Sequence, residues 1–358
     1  MKSDYLIIAD RIQQAIDNKI PVIAIESASI FMGLTGHGAL MDGIGSEGVK
    51  RNEGVQQDFY KTAEDIEKLI IQNGAVPALI AVIDGKIHVG LHTSERQHLA
   101  DHQSELVRIC RSDLPLSLAM PKDGVTTVSA TMMIAQMVGI PVMVSLGIGG
   151  VSENFEKDHK ISSDLQEMVQ SRVIVVATGI NPGSDPDKTM NYLETHGIPV
   201  LGFRSDKFYT KWLPGNTEHA IRHRVNDPTD ISAALAVKRS LDIDGSILVL
   251  NPASDPLDDS IAYDAEKNMK QLTDVLHDNV TLAAWIAMAI SMDLNPNIDN
   301  KNSKRVNIPK KEKSMSFEVW LFAVKKFAQN YDVALLIFNN LPDSEKERLR
   351  QEYEDTVD

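Results

Sequence analysis

Cysteine and positive charge are both scarce in this chain of 358 residues. A single cysteine, Cys110, excludes a disulfide framework and any structural zinc site built on cysteines, so a reducing compartment is allowed. The chain has 36 Lys and Arg residues against 50 Asp and Glu, a formal net charge of -14. General nucleic-acid binding is therefore excluded, because it needs clustered cations facing the phosphates. A phosphorylated small molecule is not excluded, since a local pocket can be positive on an acidic protein.

The N-terminus lacks the long apolar run of a secretory signal, because three aspartates interrupt residues 1–17. A second segment, Gly124 to Ser152, has no charged residue and is long enough to span a membrane. Gly139-Ile140-Pro141 breaks this segment, and polar side chains are scattered through it, so we predict a buried helix followed by a buried strand. We therefore expect a cytoplasmic protein with no membrane partner.

Helical and strand patterns alternate along most of the chain, which predicts a single layered α/β/α domain. Amphipathic spacing predicts helices over 4–18 and 55–73, while short apolar runs rich in β-branched residues predict buried strands. Asp84-Gly85 predicts a tight hairpin turn, so we expect a central sheet that is mixed but mostly parallel, with helices on both faces. The predicted strands cover 21–26, 77–83, 86–91, 141–146, 172–178, 198–203 and 246–251.

Two segments break this alternation, and we interpret both as insertions into one domain that spans 1–358. Residues 33–54 contain seven glycines, which is typical of a flexible loop or of close backbone approach. Residues 295–313 are rich in Asn, Pro and Lys. We interpret this basic segment as a solvated loop, with docking of an anionic partner as the alternative.

Polar side chains stand where a predicted strand ends and where a predicted helix begins. Glu26 closes the first strand, and ligands of open α/β sheets bind beyond the carboxyl ends of strands. A buried carboxylate there can act as a general acid or base, although a surface or helix-capping glutamate is the alternative. Thr126, Thr127 and Ser129 open a helix, where hydroxyl and N–H groups favour phosphate; capping and core packing are their alternative uses.

Nucleotide-binding motifs are absent from the sequence. Gly147-Ile-Gly-Gly150 does not continue as G-x-G-x-x-G into a helix, and no P-loop occurs. His219 and His223 are four residues apart, so they would form a metal-binding pair only on a helix.

The order of the segments resembles the pseudouridine-5′-phosphate glycosidases, also called the indigoidine synthase A family. The resemblance runs from Pro21 to about Pro252, some two thirds of the chain, and depends on many stretches in order with compatible spacing. These stretches are VIAIES (22–27), QNGAVPALIAVIDGKIHVGL (72–91), RSDLP (111–115), GVTTVSATMMIA (124–135), GIPVMVSLGIGGV (139–151), ISSDLQE (161–167), YLETHGIPVLGF (192–203) and NP (251–252).

The resemblance implies reversible cleavage of the C–C glycosidic bond between uracil and ribose 5-phosphate. In that family a lysine forms a Schiff base with the ring-opened sugar, a glutamate moves protons, and an aspartate holds a divalent metal, typically manganese. A C-glycosidic bond has no heteroatom leaving group, so an iminium electron sink lowers the barrier. The resemblance therefore implies a phosphorylated sugar or nucleotide as partner, and a homo-oligomer, a trimer as in the family.

Carried over one residue at a time, the resemblance keeps the glutamate and changes its partners. Glu26 matches the family's glutamate. Asn181 stands where the Schiff-base lysine belongs, and an amide nitrogen cannot form an iminium. Lys160 stands where the metal-binding aspartate belongs. The resemblance therefore places a positive charge where the family has the carboxylate that holds the metal ion. We therefore predict that the manganese site is lost and that no cofactor is bound.

Three further positions are candidates for contact with substrate. Ser152 replaces a histidine that follows the family's G-G-V stretch. His88 replaces the lysine of the family's K-V-G-L stretch. Lys86 lies two residues earlier and shares a strand face with His88, so it could substitute for that lysine.

Three functions are consistent with this pattern. The first is a diverged enzyme that cleaves or forms a C–C or C–N glycosidic bond, with Lys160 supplying the amine if it is buried with a lowered pKa. The second is an inactive homologue that binds a phosphosugar or nucleotide, held by Thr126, Thr127 and Ser129. The third is a protein-interaction module that uses residues 301–313. We favour the enzyme with an altered active site, and we do not expect standard pseudouridine-5′-phosphate glycosidase activity.

Overall fold

The computed structural model describes residues 4–31, 55–181, 183–207, 220–251 and 265–291. Both predicted insertions, 33–54 and 295–313, lie outside the described residues. Apart from residues 72–74, the described residues belong to one compact unit.

Short strands alternate with helices throughout the described residues. The strands are β1 (Leu6–Ile8), β2 (Val22–Glu26), β3 (Val76–Ile83), β4 (Lys86–Val89), β5 (Val107–Ile109), β6 (Gly124–Thr126), β7 (Val142–Val144), β8 (Gly147–Ile148), β9 (Val151–Ser152), β10 (Ile174–Ala177), β11 (Gly179–Ile180), β12 (Ser184–Asp185), β13 (Val200–Phe203), β14 (His223–Val225) and β15 (Ile247–Leu250). The helices are α1 (Asp10–Asp17), α2 (Ala28–Phe31), α3 (Val55–Gln72), α4 (Thr93–Asp101), α5 (Leu114–Ala119), α6 (Val128–Val138), α7 (Phe155–Asp158), α8 (Ser163–Gln170), α9 (Pro186–Thr195), α10 (Pro228–Ser240) and α11 (Ala265–Ser291).

Eleven of these strands form one central sheet. Nine of them follow the order β1-β4-β3-β2-β7-β10-β15-β13-β14, and β6 joins β5 to β3. Strand β3 pairs antiparallel with β4 and with β6, whereas the other pairs in this sheet are parallel. The prediction of a mixed, mostly parallel sheet with flanking helices is confirmed.

Strand β2 lies between β3 and β7 in the sheet, and the chain reaches these two neighbours by different helices. From β2 it passes through α3 to β3 on one side, and later it passes through α6 to β7 on the other side of β2. Helices α3 and α11 share a hydrophobic core with Ile23, Ile25, Val142 and Val144, while α6 packs on β2 and β7 outside that core. Ligands of open α/β sheets bind at such a switch point, so the carboxyl ends of β2 and β7 are where a site is expected.

The hairpin predicted at Asp84-Gly85 is confirmed. Both residues have positive φ, 50° and 67°, which is the backbone of a two-residue turn whose twist matches the flanking strands. The turn places Ile83 opposite Lys86 and fixes the register of β3 on β4.

One expectation about secondary structure is wrong. A helix over 4–18 was expected, but Leu6–Ile8 forms β1 and pairs in parallel with Ile87–Val89, so the helix begins only at Asp10. The backbone groups of these residues gain sheet partners that local spacing does not reveal. His223 begins strand β14, so the helical metal pair with His219 is excluded; His219 itself lies outside the described residues.

The uncharged segment 124–152 folds as predicted into a buried helix, α6, followed by a buried strand, β7. Gly139 ends the helix in the left-handed conformation, with φ 82°. Within the described ranges, no helix is long and apolar enough to cross a membrane.

Candidate active site

Glu26 lies at the carboxyl end of β2, beside β7, at the switch point of the sheet. Its side chain is buried, and the Ser145 Oγ donates a hydrogen bond of 2.7 Å to Oε1. The Ser29 hydroxyl donates to the same oxygen. The pKa of Glu26 is raised to about 7, mainly by burial and to a smaller extent by the charge of Asp164, against the opposing effects of the two hydroxyls and Arg108. A carboxyl group with this pKa exchanges a proton readily at neutral pH.

Arg108 is a functional candidate that the sequence patterns did not reveal. It lies on β5, its side chain is exposed, and its positive charge acts on Glu26. Strand β5 is only three residues long and pairs with β6, so the approach of Arg108 to Glu26 depends on tertiary structure. The RSDLP stretch that follows at 111–115 was the nearest sequence signal.

A buried asparagine on α11 forms hydrogen bonds to residues at the carboxyl ends of three strands. The Asn279 side chain is fully buried and donates to the Ser145 backbone oxygen at 3.0 Å and to Thr178 Oγ1 at 2.9 Å. Its oxygen accepts from Asn251 Nδ2 at 3.2 Å. One amide thus links the carboxyl ends of β7, β10 and β15.

The predicted phosphate-binding hydroxyls point into the protein. Thr126 is fully buried, and its Oγ1 donates to the Ile80 oxygen at 2.9 Å and accepts from Thr131 Oγ1 at 2.9 Å. The Thr127 Oγ1 and Ser129 Oγ lie 3.0 Å apart, and both residues are buried. Thr127 does precede α6, as predicted, but the three hydroxyls bond to protein groups in this structure.

Asp164 occupies the anion position at the start of α6. Its Oδ1 accepts the Ser129 N–H at 2.9 Å, and its Oδ2 accepts the Gly149 N–H at 2.8 Å. The Asp164 side chain is buried, so its charge takes the place at the helix N-terminus that the sequence pattern suggested for phosphate. The carboxylate also ties α6 to the Gly147–Gly150 loop.

Ser152, Lys160 and Asn181 lie on neighbouring segments after β7 and β10. The Ser152 N–H donates to the Lys160 backbone oxygen at 3.0 Å, and Asn181 N–H donates to the Ile148 oxygen at 2.7 Å. The Lys160 side chain is exposed, whereas the amine hypothesis assumed burial, so the amine role of Lys160 stays a prediction without that support. Residue 160 sits on a surface turn, where its N–H bonds to the Asp158 carboxylate at 3.0 Å.

His88 and Lys86 lie on the other face of the sheet from Glu26. Glu26 pairs with Ile80, whereas His88 pairs with Ala81, and successive side chains of a strand point to opposite faces. His88 Nδ1 lies 2.6 Å from Glu95 Oε1, and Lys86 is exposed. The register therefore does not direct either side chain towards Glu26.

The surroundings of residue 160 do not fit a metal site of the family's kind. Lys160 offers a cation in place of the carboxylate, and the Asp158 carboxylate already accepts from Ser152 Oγ at 2.7 Å and from the Lys160 N–H. No group of three His, Cys, Asp or Glu side chains suited to a metal occurs in the ranges that the structure describes.

A separate cleft of about 500 Å³ lies between α5, α6, α8 and α9. Its lining includes Arg111, Met133, Ile161 and Tyr192, but none of the predicted site residues. The cleft and the Glu26 carboxyl group are therefore lined by different residues.

Comparison with known proteins adds a family to this geometry. Residues 11–281 match the family model described as indigoidine synthase A like protein. Pseudouridine-5′-phosphate glycosidase 2 of Photorhabdus laumondii is 36% identical over 259 residues, covering 72% of this chain and 75% of that protein. The pseudouridine-5′-phosphate glycosidase of Geobacillus kaustophilus is 36% identical over 253 residues, covering 70% and 76%.

Two solved structures share the fold. The prealnumycin C-glycosynthase AlnA, in complex with ribulose 5-phosphate, gives a TM-score of 0.68 at 26% identity, covering 81% of this chain and 98% of that one. An indigoidine synthase A-like protein of Thermotoga maritima gives a TM-score of 0.65 at 22% identity, covering 80% and 97%.

Proposed function

The chain belongs to the indigoidine synthase A-like family, and from that premise we propose that it cleaves or forms the C–C glycosidic bond of a ribose 5-phosphate adduct. The observation that carries this proposal is Glu26, a buried carboxyl group with a pKa of about 7 at the switch point of the sheet. Such a group can give and take a proton within one catalytic cycle at neutral pH.

In the proposed cleavage, the bond between the base carbon and the sugar carbon breaks, and its electron pair goes to the base. Neutral Glu26 supplies the proton that this base carbon needs. Water then adds to the sugar carbon, and the water proton passes to the Glu26 carboxylate, which restores the starting form. One water is consumed, and the products are the free base and ribose 5-phosphate.

Two observations support a phosphorylated sugar as the substrate. The relatives matched over three quarters of their length are named pseudouridine-5′-phosphate glycosidases, and the AlnA structure holds ribulose 5-phosphate. In this chain, the positive charge of the exposed Arg108 acts on Glu26 and would favour an anionic group bound near this carboxyl group.

The loss of standard activity expected from the sequence stays a prediction, so the experiment for this function starts from the compound for which the relatives are named. It incubates the full chain with pseudouridine 5′-phosphate and measures released uracil by chromatography. The reverse reaction uses uracil and ribose 5-phosphate. Product in either direction, absent from a Glu26→Gln preparation, supports the proposal. No product from the wild-type chain in either direction contradicts C-glycoside chemistry on these substrates.

An exposed Lys160 has a testable consequence for the covalent route. We expect borohydride, added with ribose 5-phosphate, to trap no sugar on Lys160, because its exposed side chain lacks the buried environment that makes a lysine amine nucleophilic. Intact-protein mass spectrometry followed by peptide mapping measures the adduct, with Lys160→Arg as the matched control. An adduct that Lys160→Arg removes would restore the amine role.

Binding without turnover is the second candidate function, and Asn181 favours it. An amide at the position of the family's Schiff-base lysine cannot form an iminium. Calorimetry with ribose 5-phosphate distinguishes the two functions, since heat of binding without product formation supports the homologue that binds without turnover. The third function, a protein-interaction module, depends on residues 301–313, which lie outside the described residues, and stays a prediction. The homotrimer that the resemblance implies also stays a prediction.

The loss of the manganese site also stays a prediction. We expect manganese to bind this chain no more tightly than it binds a Lys160→Ala variant, because the residues around position 160 supply no carboxylate cage. Equilibrium dialysis with manganese measures the affinity. Saturable tight binding that mutation of Asp158 abolishes would contradict the prediction.

A further inference from the structure

Ser145 carries a buried hydroxyl group that has no role in the proposed reaction. It directly follows β7 and is 1% exposed, and its Oγ donates to Oε1 of Glu26 at 2.7 Å. The Ser29 hydroxyl donates to that same oxygen. Among the described residues, no donor reaches Oε2 of Glu26. Within these residues, the two oxygens of the carboxyl group therefore differ in their hydrogen-bond donors.

Two donors on Oε1 decide where a proton goes. Protonating Oε1 would turn an acceptor of two hydrogen bonds into a donor and displace at least one hydroxyl. Protonating Oε2 leaves both hydrogen bonds in place. The neutral form of Glu26 therefore carries its proton on Oε2, and Oε1 stays an acceptor in both protonation states.

Ser145 is held too firmly to follow a moving carboxyl group. Its N–H donates to the Val176 oxygen at 3.0 Å, and its own oxygen accepts from Asn279 Nδ2 at 3.0 Å. Its Oγ accepts the Gly147 N–H at 3.2 Å, which leaves the hydroxyl proton two acceptors, Glu26 Oε1 at 2.7 Å and the Gly147 oxygen at 2.9 Å. Neighbouring strands and α11 thus fix the position of this donor.

We propose that Ser145 is a positioning residue that holds Oε1 of Glu26 as a fixed acceptor and so confines proton exchange with the substrate to Oε2. This inference rests on the proposed function of Glu26. Within the described part of the chain, the charged groups that act on Glu26 are Asp164 from α8 and Arg108 from β5, whereas the hydrogen bonds of Ser145 go to Glu26, Gly147, Val176 and Asn279. Changing Ser145 therefore alters the hydrogen bonding of Glu26 while leaving its charged neighbours in place.

The test compares Ser145→Ala with Ser145→Thr over the pH range of uracil release from pseudouridine 5′-phosphate. Loss of a donor to the ionised form raises the Glu26 pKa, so we expect the falling limb of the profile to move to higher pH by about one unit in Ser145→Ala. We expect kcat to fall roughly tenfold with little change in KM, because the proton donor is less well placed. Ser145→Thr keeps the hydroxyl and should restore both.

Ser27→Ala is the matched control. Ser27 is adjacent to Glu26 and fully buried, but its Oγ contacts the Ile80 oxygen and Thr126, not Glu26. We expect it to lower the free energy of unfolding and to leave the midpoint of the falling limb at its wild-type pH. If Ser145→Ala does not fold, Ser29→Ala removes the other donor to Oε1 and should move the limb in the same direction.

A second measurement keeps this inference separate from the proposed function. The free energy of unfolding depends on pH, and the contribution of Glu26 to that dependence is the part that the Glu26→Gln variant lacks. This contribution reports the titration of Glu26 without any turnover. We expect its midpoint to rise in Ser145→Ala and to return in Ser145→Thr. Absence of uracil release alone would contradict the proposed function only. Unchanged midpoints in Ser145→Ala and Ser29→Ala, by either measurement, would overturn the role of Ser145.

Discussion

Replacing Glu26 by glutamine is expected to lower kcat for uracil release by about 10²- to 10⁴-fold, the usual contribution of a positioned general acid or base. Glutamine keeps the shape of the side chain and an oxygen that accepts from Ser29 and Ser145, but it holds no exchangeable acid proton. Steady-state kinetics with pseudouridine 5′-phosphate measure the change. A variant with more than a tenth of the wild-type kcat would contradict the role of Glu26.

The same substitution is expected to make the protein more resistant to urea above pH 7. Burial raises the pKa of Glu26 from 4.5 to about 7, so the folded state binds the proton more tightly than the unfolded state. The stability that this group contributes is complete below pH 4.5 and is lost as the pH rises through about 7. Glutamine does not ionise, so Glu26→Gln should gain up to about 3 kcal/mol relative to wild type between pH 4.5 and 8.

Glu67→Gln is the control for this gain in stability. Glu67 is also buried and burial raises its pKa as well, but it is paired with the buried Arg96 and its charge interacts with Arg11. A glutamine there leaves the guanidinium without its counter-charge, and breaking such a pair costs about 3–5 kcal/mol. Opposite signs for the two variants at pH 8 would support the argument. A loss of stability in Glu26→Gln at pH 8 would contradict the raised pKa.

Replacing Asp164 by asparagine is expected to destabilise the fold by about 2–3 kcal/mol. Both carboxylate oxygens accept backbone N–H groups, from Ser129 at 2.9 Å and Gly149 at 2.8 Å. The asparagine oxygen can accept only one of these two N–H groups. Its NH₂ group then faces the other N–H, so that N–H and the NH₂ group are two donors without an acceptor. Urea titration at pH 7 measures the change in the free energy of unfolding.

Asp158→Asn is the matched control for Asp164. Asp158 also accepts a backbone N–H and a hydroxyl, from Lys160 at 3.0 Å and Ser152 at 2.7 Å, but its side chain is exposed. Water can replace these partners, so we expect a much smaller change than in Asp164→Asn. Equal losses in the two variants would show that burial of the Asp164 carboxylate is not what makes it stabilising. Asp164→Asn should also lower the Glu26 pKa, since it removes a repelling charge.

The fold could be predicted from sequence because its strands are buried and its turns carry their own signals. Val22–Glu26 is buried along its whole length, and Asp84-Gly85 adopts the positive φ angles that the dipeptide favours. Strand β1 was missed because its stability comes from pairing with β4, about eighty residues away in sequence. Three apolar residues next to a helix carry no local trace of that pairing.

The candidate site was predictable only in part, since its side chains meet through tertiary contacts. Glu26 was found from its position at a strand end. Arg108 and Ser145 were missed because each depends on which strands are neighbours in the sheet. Ser129 was assigned to phosphate because a helix N-terminus attracts anions, and the structure supplies that anion as the carboxylate of Asp164.

The pH dependence of kcat/KM for uracil release from pseudouridine 5′-phosphate tests the central claim most directly. If neutral Glu26 donates the proton, kcat/KM falls above a midpoint near pH 7, and the residual activity of Glu26→Gln shows no such fall. A wild-type profile that is flat through pH 7, or a Glu26→Gln variant that keeps the same falling limb, would contradict the assignment of Glu26 as the proton donor.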